Sequence, residues 1–201
     1  MNFVCINFKG MAIPVTSKIS IEEYLELERA APFKSEYYKG EVYAMAGAST
    51  IHNAICSNLI GSLNPFLRGK NCKIFGSDQK VHVIENTLLT YPDAVIICGE
   101  NEFTDREKDT ITNPSVIFEV LSATTKKYDR REKFELYKSI PSFTEYILIS
   151  SEQIKVDVYR KQPNGKWLPS EYKSIQDQFT IEKIGYEMKL ADLYDGISFP
   201  V

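Results

Sequence analysis

The alternation of apolar and polar positions divides the chain into helical and extended stretches. Ser20-Ile21-Glu22-Glu23 sets a capping serine three residues ahead of a glutamate, and Ile21, Tyr24, Leu25 and Leu27 follow at helical spacing. A short helix is therefore expected to end near Ala30-Ala31-Pro32. Ser35 to Met45, with Lys39-Gly40 as turn signal, reads as a hairpin. Ser49 or Thr50 can cap a longer helix carrying Ile51, Ile55, Leu59 and Leu63 on one stripe, which Pro65 kinks or ends. Lys73 to Ile84 alternates as one half-buried strand, with Val81 and Val83 on one face and Asp78, Lys80 and His82 on the other.

Two later runs are almost wholly apolar. Tyr91-Pro92-Asp93 opens Ala94-Val95-Ile96-Ile97-Cys98, and a charged loop from Gly99 to Asn113 leads into Val116-Ile117-Phe118-Glu119-Val120-Leu121. A charged helix from about Thr125 to Ser139 precedes the strand Glu145 to Ile149. Lys155 to Arg160 and Lys166 to Leu168, joined by Pro163-Asn164-Gly165, then form a second hairpin. The order predicts an α/β protein: a central mixed β-sheet flanked by helices, with additional N- and C-terminal β-hairpins. Glu119 is the anomaly in this pattern. A lone carboxylate in a buried strand costs several kcal/mol unless a cation or metal ion meets it. Asp93 places a second acid at the end of a neighbouring apolar run, and the two look like half of a metal site.

Composition narrows the class. At 201 residues and 43% hydrophobic content the chain suits one domain with a real core. Residues 1–12 carry no continuing pattern and are expected to be disordered or extended, leaving 13–201 as the single domain. No apolar stretch is long enough to span a bilayer and no secretory signal is visible, so a cytoplasmic protein with no membrane partner is expected. Cys5, Cys56, Cys72 and Cys98 form no C-x-x-C pair, and reduced, mostly buried thiols are expected. With His52 and His82 the only histidines, a His-rich zinc site is excluded, and the hard oxygen ligands that remain suit Mg²⁺ or Mn²⁺.

The net charge of -3 does not by itself mark a nucleic-acid binder, but charge is unevenly distributed. Between positions 126 and 138, Lys126, Lys127, Arg130, Arg131, Lys133 and Lys138 outnumber Asp129, Glu132 and Glu135, a balance compatible with phosphate contact as well as with a solvated helix face. No nucleophile elbow, glycine-rich phosphate loop or H-E-x-x-H motif occurs.

Tyr37 to Glu41, Ser49 to His52, Tyr91-Pro92-Asp93, Glu119-Val120-Leu121-Ser122, Asp129 with Lys133 and Tyr137, and Glu145-Tyr146 together resemble the "Uma-two" family of endonucleases, also called domain-of-unknown-function family 820. The resemblance runs from Ile19 to Tyr194. It implies the restriction-endonuclease-like fold of the PD-(D/E)xK superfamily, whose acid cluster holds Mg²⁺ to activate water against a scissile phosphate. Asp93 and Glu119 match the two acid positions, and the Val120 main-chain carbonyl would add a ligand.

The lysine expected two residues after the second acid is replaced by Leu121, so another cation must complete the site. Lys133 is the first candidate, because Asp129, Lys133 and Tyr137 share a helix stripe; Lys80 is its rival on a neighbouring strand. Glu36, Glu41 and His52 are outer candidates for catalysis, and Asp78 for metal. Lys126, Lys127, Arg130 and Arg131 are candidates for phosphate-backbone contact. The expected function is metal-dependent hydrolysis of nucleic acid, DNA above RNA, by a homodimer. The alternatives are a non-catalytic binding module of the same fold and a phosphodiesterase acting on small molecules.

Overall fold

The computed structural model describes residues 18–199; the N-terminal segment assigned to 1–12 lies outside them. Helix α1 (Ile21–Ala30) starts where expected, its first turn capped by Ser20, whose hydroxyl accepts the Glu23 N–H at 3.1 Å. The hairpin of β1 (Ser35–Tyr38) and β2 (Glu41–Ala44) turns at Lys39 and Gly40, with φ of 50° and 93°. Glycine is needed at the second position for a further reason. A Cβ on Gly40 would sit 2.7 Å from the Cβ of Lys18. Helix α2 (Thr50–Phe66) is capped by Ser49 and buries Ile55, Leu59 and Leu63. Each such side chain contributes about 1.5–3 kcal/mol by leaving water.

The stretch 73–84 is not one strand. β3 (Cys72–Gly76) and β4 (Lys80–Val83) are separated by a turn and lie in different sheets. β4 joins β5 (Leu88–Thr90), the N-terminal hairpin and β7 (Thr110–Ile111) in the order β2-β1-β5-β4-β7. The larger sheet runs β11-β10-β9-β8-β6-β3, from β6 (Ala94–Cys98), β8 (Val116–Leu121), β9 (Glu145–Ser150), β10 (Val156–Lys161) and β11 (Trp167–Tyr172). Its neighbours are antiparallel except β8 and β9, which a helical crossover joins in parallel. The crossover comprises α3 (Lys126–Tyr128), a π-helical turn (Asp129–Lys133) and α4 (Phe134–Tyr137). A hairpin of β12 (Gln178–Ile181) and β13 (Tyr186–Lys189) and the short α5 (Leu190–Leu193) complete the chain.

Strand alternation gives each face of the large sheet its own core. Phe118, Val120, Ile147 and Ile149 pack with the α2 stripe, while Ile117, Leu121, Tyr146 and Leu148 pack with Phe134 and Tyr137 of the crossover and with β4 and β5. The cysteine expectation needs correction. Cys72 and Cys98 are register partners on β3 and β6 with Cα atoms 4.0 Å apart, and they form a disulfide; Cys56 is a free thiol. Sequence spacing could not show that antiparallel pairing sets these two side chains on the same face. Among the described residues, no helix is long and apolar enough to cross a membrane.

Candidate active site

The strands β6 and β8 pair from Ile96↔Val116 to Ala94↔Phe118 and then part, because Pro92 has no N–H to continue the ladder. Asp93 takes up the edge of β8 that is left open. Its Oδ2 accepts the Val120 N–H at 2.7 Å and lies 3.1 Å from His52 Nε2, in the first turn of α2. A strand residue's N–H and C=O point toward the same neighbour, so the Val120 carbonyl is directed to the Asp93 side as well.

Glu119 projects from the opposite sheet face, toward the crossover, and is only 4% exposed. Three donors meet it: Lys133 Nζ at 2.9 Å and the Tyr137 hydroxyl at 3.0 Å on Oε1, and the Asp93 N–H at 3.4 Å on Oε2. Lys133 also lies 3.1 Å from Glu36 and 3.8 Å from Asp129. Glu36 is held in turn by the Thr90 hydroxyl and, at 3.4 Å, by Tyr128. One buried ammonium thus serves three carboxylates, with Asp93 and its histidine alongside.

Burial drives the Glu119 carboxyl above the usual carboxylate range; Lys133 opposes the shift, while Asp129 and Asp93 add to it. Burial works against the charged form of Lys133, but Glu119, Tyr137, Glu36 and Asp129 outweigh it and keep the ammonium protonated well past its ordinary range. His52 shows the same competition. Burial lowers it, and the hydrogen bonds to Asp93 and Cys56 with the Asp93 charge raise it to about 10.

Of the other sequence candidates, several lie elsewhere. Lys80 is buried on β4, its Nζ 6.0 Å from the Tyr24 ring centroid and 5.7 Å from that of Tyr91, where burial lowers its pKa against the opposing charges of Asp109, Glu28 and Asp105. It is not in the acid cluster, and Lys133 is the ammonium that meets Glu119. Asp78 sits in the turn after β3, 95% exposed and paired with Lys34 at 2.5 Å, so it does not extend the cluster either. The expectation that it shares a strand face with Lys80 fails because the chain turns between them. Glu41 is exposed on the edge strand β2, where it accepts the Tyr43 hydroxyl. Lys126 pairs with Glu152 at 2.8 Å and Arg130 with Asp157 at 2.6 Å, whereas Lys127 and Arg131 are exposed with no ion pair among the described residues. Beside Glu36 and Tyr128 a cleft of about 890 Å³ opens between the β1–β2 hairpin and the crossover.

Cys56 was not singled out in the sequence. His52, Cys56 and Asp93 offer ligand atoms all within 4.8 Å of one another, a mixed nitrogen, sulfur and oxygen set. The available signal was the i, i+4 spacing of His52 and Cys56 on one helix face. Both donor sets include Asp93. The second, Asp93 with Glu119 and the Val120 carbonyl, is the hard-oxygen set expected from sequence. Asp93 Oδ1 takes no protein hydrogen bond among the described residues, and the carboxylates outnumber the cations around it, so this set fits a divalent ion.

The fold, a mixed sheet flanked by helices, is restriction-endonuclease-like. Residues 21–191 match the Uma2 family, described as "Putative restriction endonuclease", and the chain belongs to that family. It is 35% identical over 182 residues to the uncharacterized protein slr1290 of Synechocystis sp., covering 90% of this chain and 94% of that one. A second Synechocystis protein, the uncharacterized sll1609, is 35% identical over 176 residues, 87% of this chain and 99% of its own. The fold resembles the crystal structure of a putative nuclease belonging to DUF820 from Anabaena variabilis, with a TM-score of 0.66 and 18% identity over 88% of this chain and 97% of that one.

Proposed function

We propose that the protein is a metal-dependent endonuclease that hydrolyses phosphodiester bonds of DNA by direct water attack. The observation that carries this reading is the Lys133 ammonium 2.9 Å from Glu119, which restores from the helix the cation that Leu121 removes from the strand. Asp93, Glu119 and the Val120 carbonyl would hold Mg²⁺ or Mn²⁺. Such an ion supplies Lewis acidity, polarising the phosphate and lowering the pKa of a bound water.

The chain's own residues then have distinct tasks. Val120 N–H and His52 fix the Asp93 carboxylate, and Tyr137 fixes that of Glu119. Lys133, whose ammonium is favoured by the acids around it, would position water and offset the charge that develops on the phosphate. Exposed Lys127 and Arg131 are free to approach the phosphate backbone, and Lys126 and Arg130 can do so by exchanging their acidic partners. A homodimer would give a duplex one site for each strand.

The test is cleavage of supercoiled plasmid with Mg²⁺ or Mn²⁺. Asp93→Ala and Glu119→Ala should each lower the rate by more than about a hundredfold, equivalent to roughly 2.7 kcal/mol of transition-state stabilisation. Equal cleavage by the parent and both variants would remove the assignment. Neither cleavage nor metal binding by the parent would leave the alternative, a non-catalytic binding module of the same fold.

A further inference from the structure

The cleft beside Glu36 has a composition that phosphate contact alone does not explain. In the β1–β2 register Glu36 faces Tyr43 and Tyr38 faces Glu41, so these four side chains share one face of the hairpin, while Tyr37 packs on α1 from the other. That face forms one wall of the cleft. Tyr128 and Arg131 of the crossover lie on the other wall. Tyr43 is 40% exposed, although it is a large aromatic residue on an edge strand.

We infer that this cleft takes a single unpaired nucleotide of the substrate, its base against the tyrosine rings and its phosphate toward Arg131. This deepens the reading of the acid cluster as a hydrolytic centre and rests on it, since Glu36 both lines the cleft and contacts Lys133. Three properties favour an unpaired base. The cleft volume of about 890 Å³ lies in the range of small-ligand sites, about 300–1,000 Å³. Bases in a duplex are covered on both faces by their neighbours and show only their edges in the grooves, whereas an unpaired base offers a face to an aromatic ring. Glu132 and Glu135 also line the cleft and offset its arginines, which disfavours an occupant made of phosphate alone; carboxylates do accept hydrogen bonds from exocyclic base amines. Arg130 is engaged by Asp157, which leaves Arg131 as the cleft arginine without an ion pair among the described residues.

Fluorescence anisotropy with a short labelled oligonucleotide of mixed sequence tests this, with EDTA present so that cleavage cannot deplete the probe. The arms are single-stranded DNA, single-stranded RNA and the blunt DNA duplex. Single-stranded DNA should bind at least about tenfold more tightly than the duplex, and the RNA arm shows whether the sugar is also read. Tyr43→Ala should weaken single-strand binding by about five- to a hundredfold, and Tyr43→Phe should restore it. Equal affinity for duplex and single strand, or Tyr43→Ala binding like the parent, would overturn the inference. Plasmid cleavage together with an unaffected Tyr43→Ala would discard the cleft and keep the hydrolytic centre. Tyr43-dependent binding with no cleavage would keep the cleft and discard that centre.

Discussion

Glu119 and Glu145 stand on adjacent parallel strands, 4% and 2% exposed, and burial raises both carboxyls above the ordinary carboxylate range. Burial alone therefore does not separate a working acid from a structural one. The difference lies in their partners. Glu145 accepts the backbone N–H groups of Glu182 at 3.0 Å and Lys183 at 2.7 Å and lies 3.4 Å from Arg160, so its charge is met by donors that fasten the β12–β13 region to the sheet. Glu119 shares its one ammonium with Glu36 and Asp129, and Asp93 stands next to it. A satisfied acid closes a structure; a surplus of acids leaves room for an added cation.

Glu145→Ala should give the largest stability effect, a loss of about 2–4 kcal/mol in denaturant titration, because it takes the acceptor from two backbone amides and one of two carboxylates from Arg160, which keeps Glu182 at 3.3 Å. The increase in Tm that Mn²⁺ produces should survive in that variant. Glu119→Gln should do the opposite. Without metal it should stay within about 1 kcal/mol of the parent, since it relieves acid crowding while keeping an acceptor for Lys133. It should also abolish a Mn²⁺ stabilisation that in the parent reaches about 2.7 kcal/mol when the ion is at a hundred times its Kd. Thermal melts of both variants with and without Mn²⁺ decide the matter, and an unchanged Mn²⁺ effect in Glu119→Gln would erase the distinction.

The smallest expected effect concerns pH and an exposed cluster. Arg29 hydrogen bonds to Asp109 at 2.8 Å and holds that carboxyl at about 2, below its usual 3.8. The native pKa is the lower one, so this contribution is complete above the unfolded value and is lost as pH falls toward about 2. Glu119 has the reverse sign. Its raised pKa means that the native state keeps a proton which the unfolded chain has released, and stability falls as pH rises through that window. Asp109→Asn should flatten the acid limb of a stability-against-pH curve and Glu119→Gln the limb above it, each leaving the other in place.

Much of this organisation could be read from the sequence. The caps at Ser20 and Ser49, the Lys39-Gly40 turn, the stripe of Ile55, Leu59 and Leu63 and the acid inside an apolar strand are local patterns, and each appears where its spacing put it. What escaped depends on contacts between distant segments. Spacing makes Lys133 the first candidate without excluding Lys80, and the two are separated only by where the fold puts each ammonium, Lys133 at 2.9 Å from Glu119 and Lys80 on β4 of the smaller sheet. The pairing of His52 with Asp93 spans 41 positions, and the Cys72–Cys98 disulfide exists because two strands align in one register. The break between β3 and β4 was hidden because Lys73 to Ile84 keeps an alternating pattern across the turn.

The π-helical turn from Asp129 to Lys133 gives the crossover a property of its own. An α-helix closes each turn after four residues, whereas a π-helical turn reaches a fifth, and the Phe134 N–H that ends this one turns back to the Arg131 carbonyl. Asp129, Lys133, Phe134 and Tyr137 are all buried along it, and a single short helix supplies an acid, a cation, a phenol and a packing ring. Deleting one residue from this turn would swing either the ammonium or the phenylalanine out toward water. The extra residue therefore works as a splice, joining one helical phase that serves the polar centre to another that serves the core.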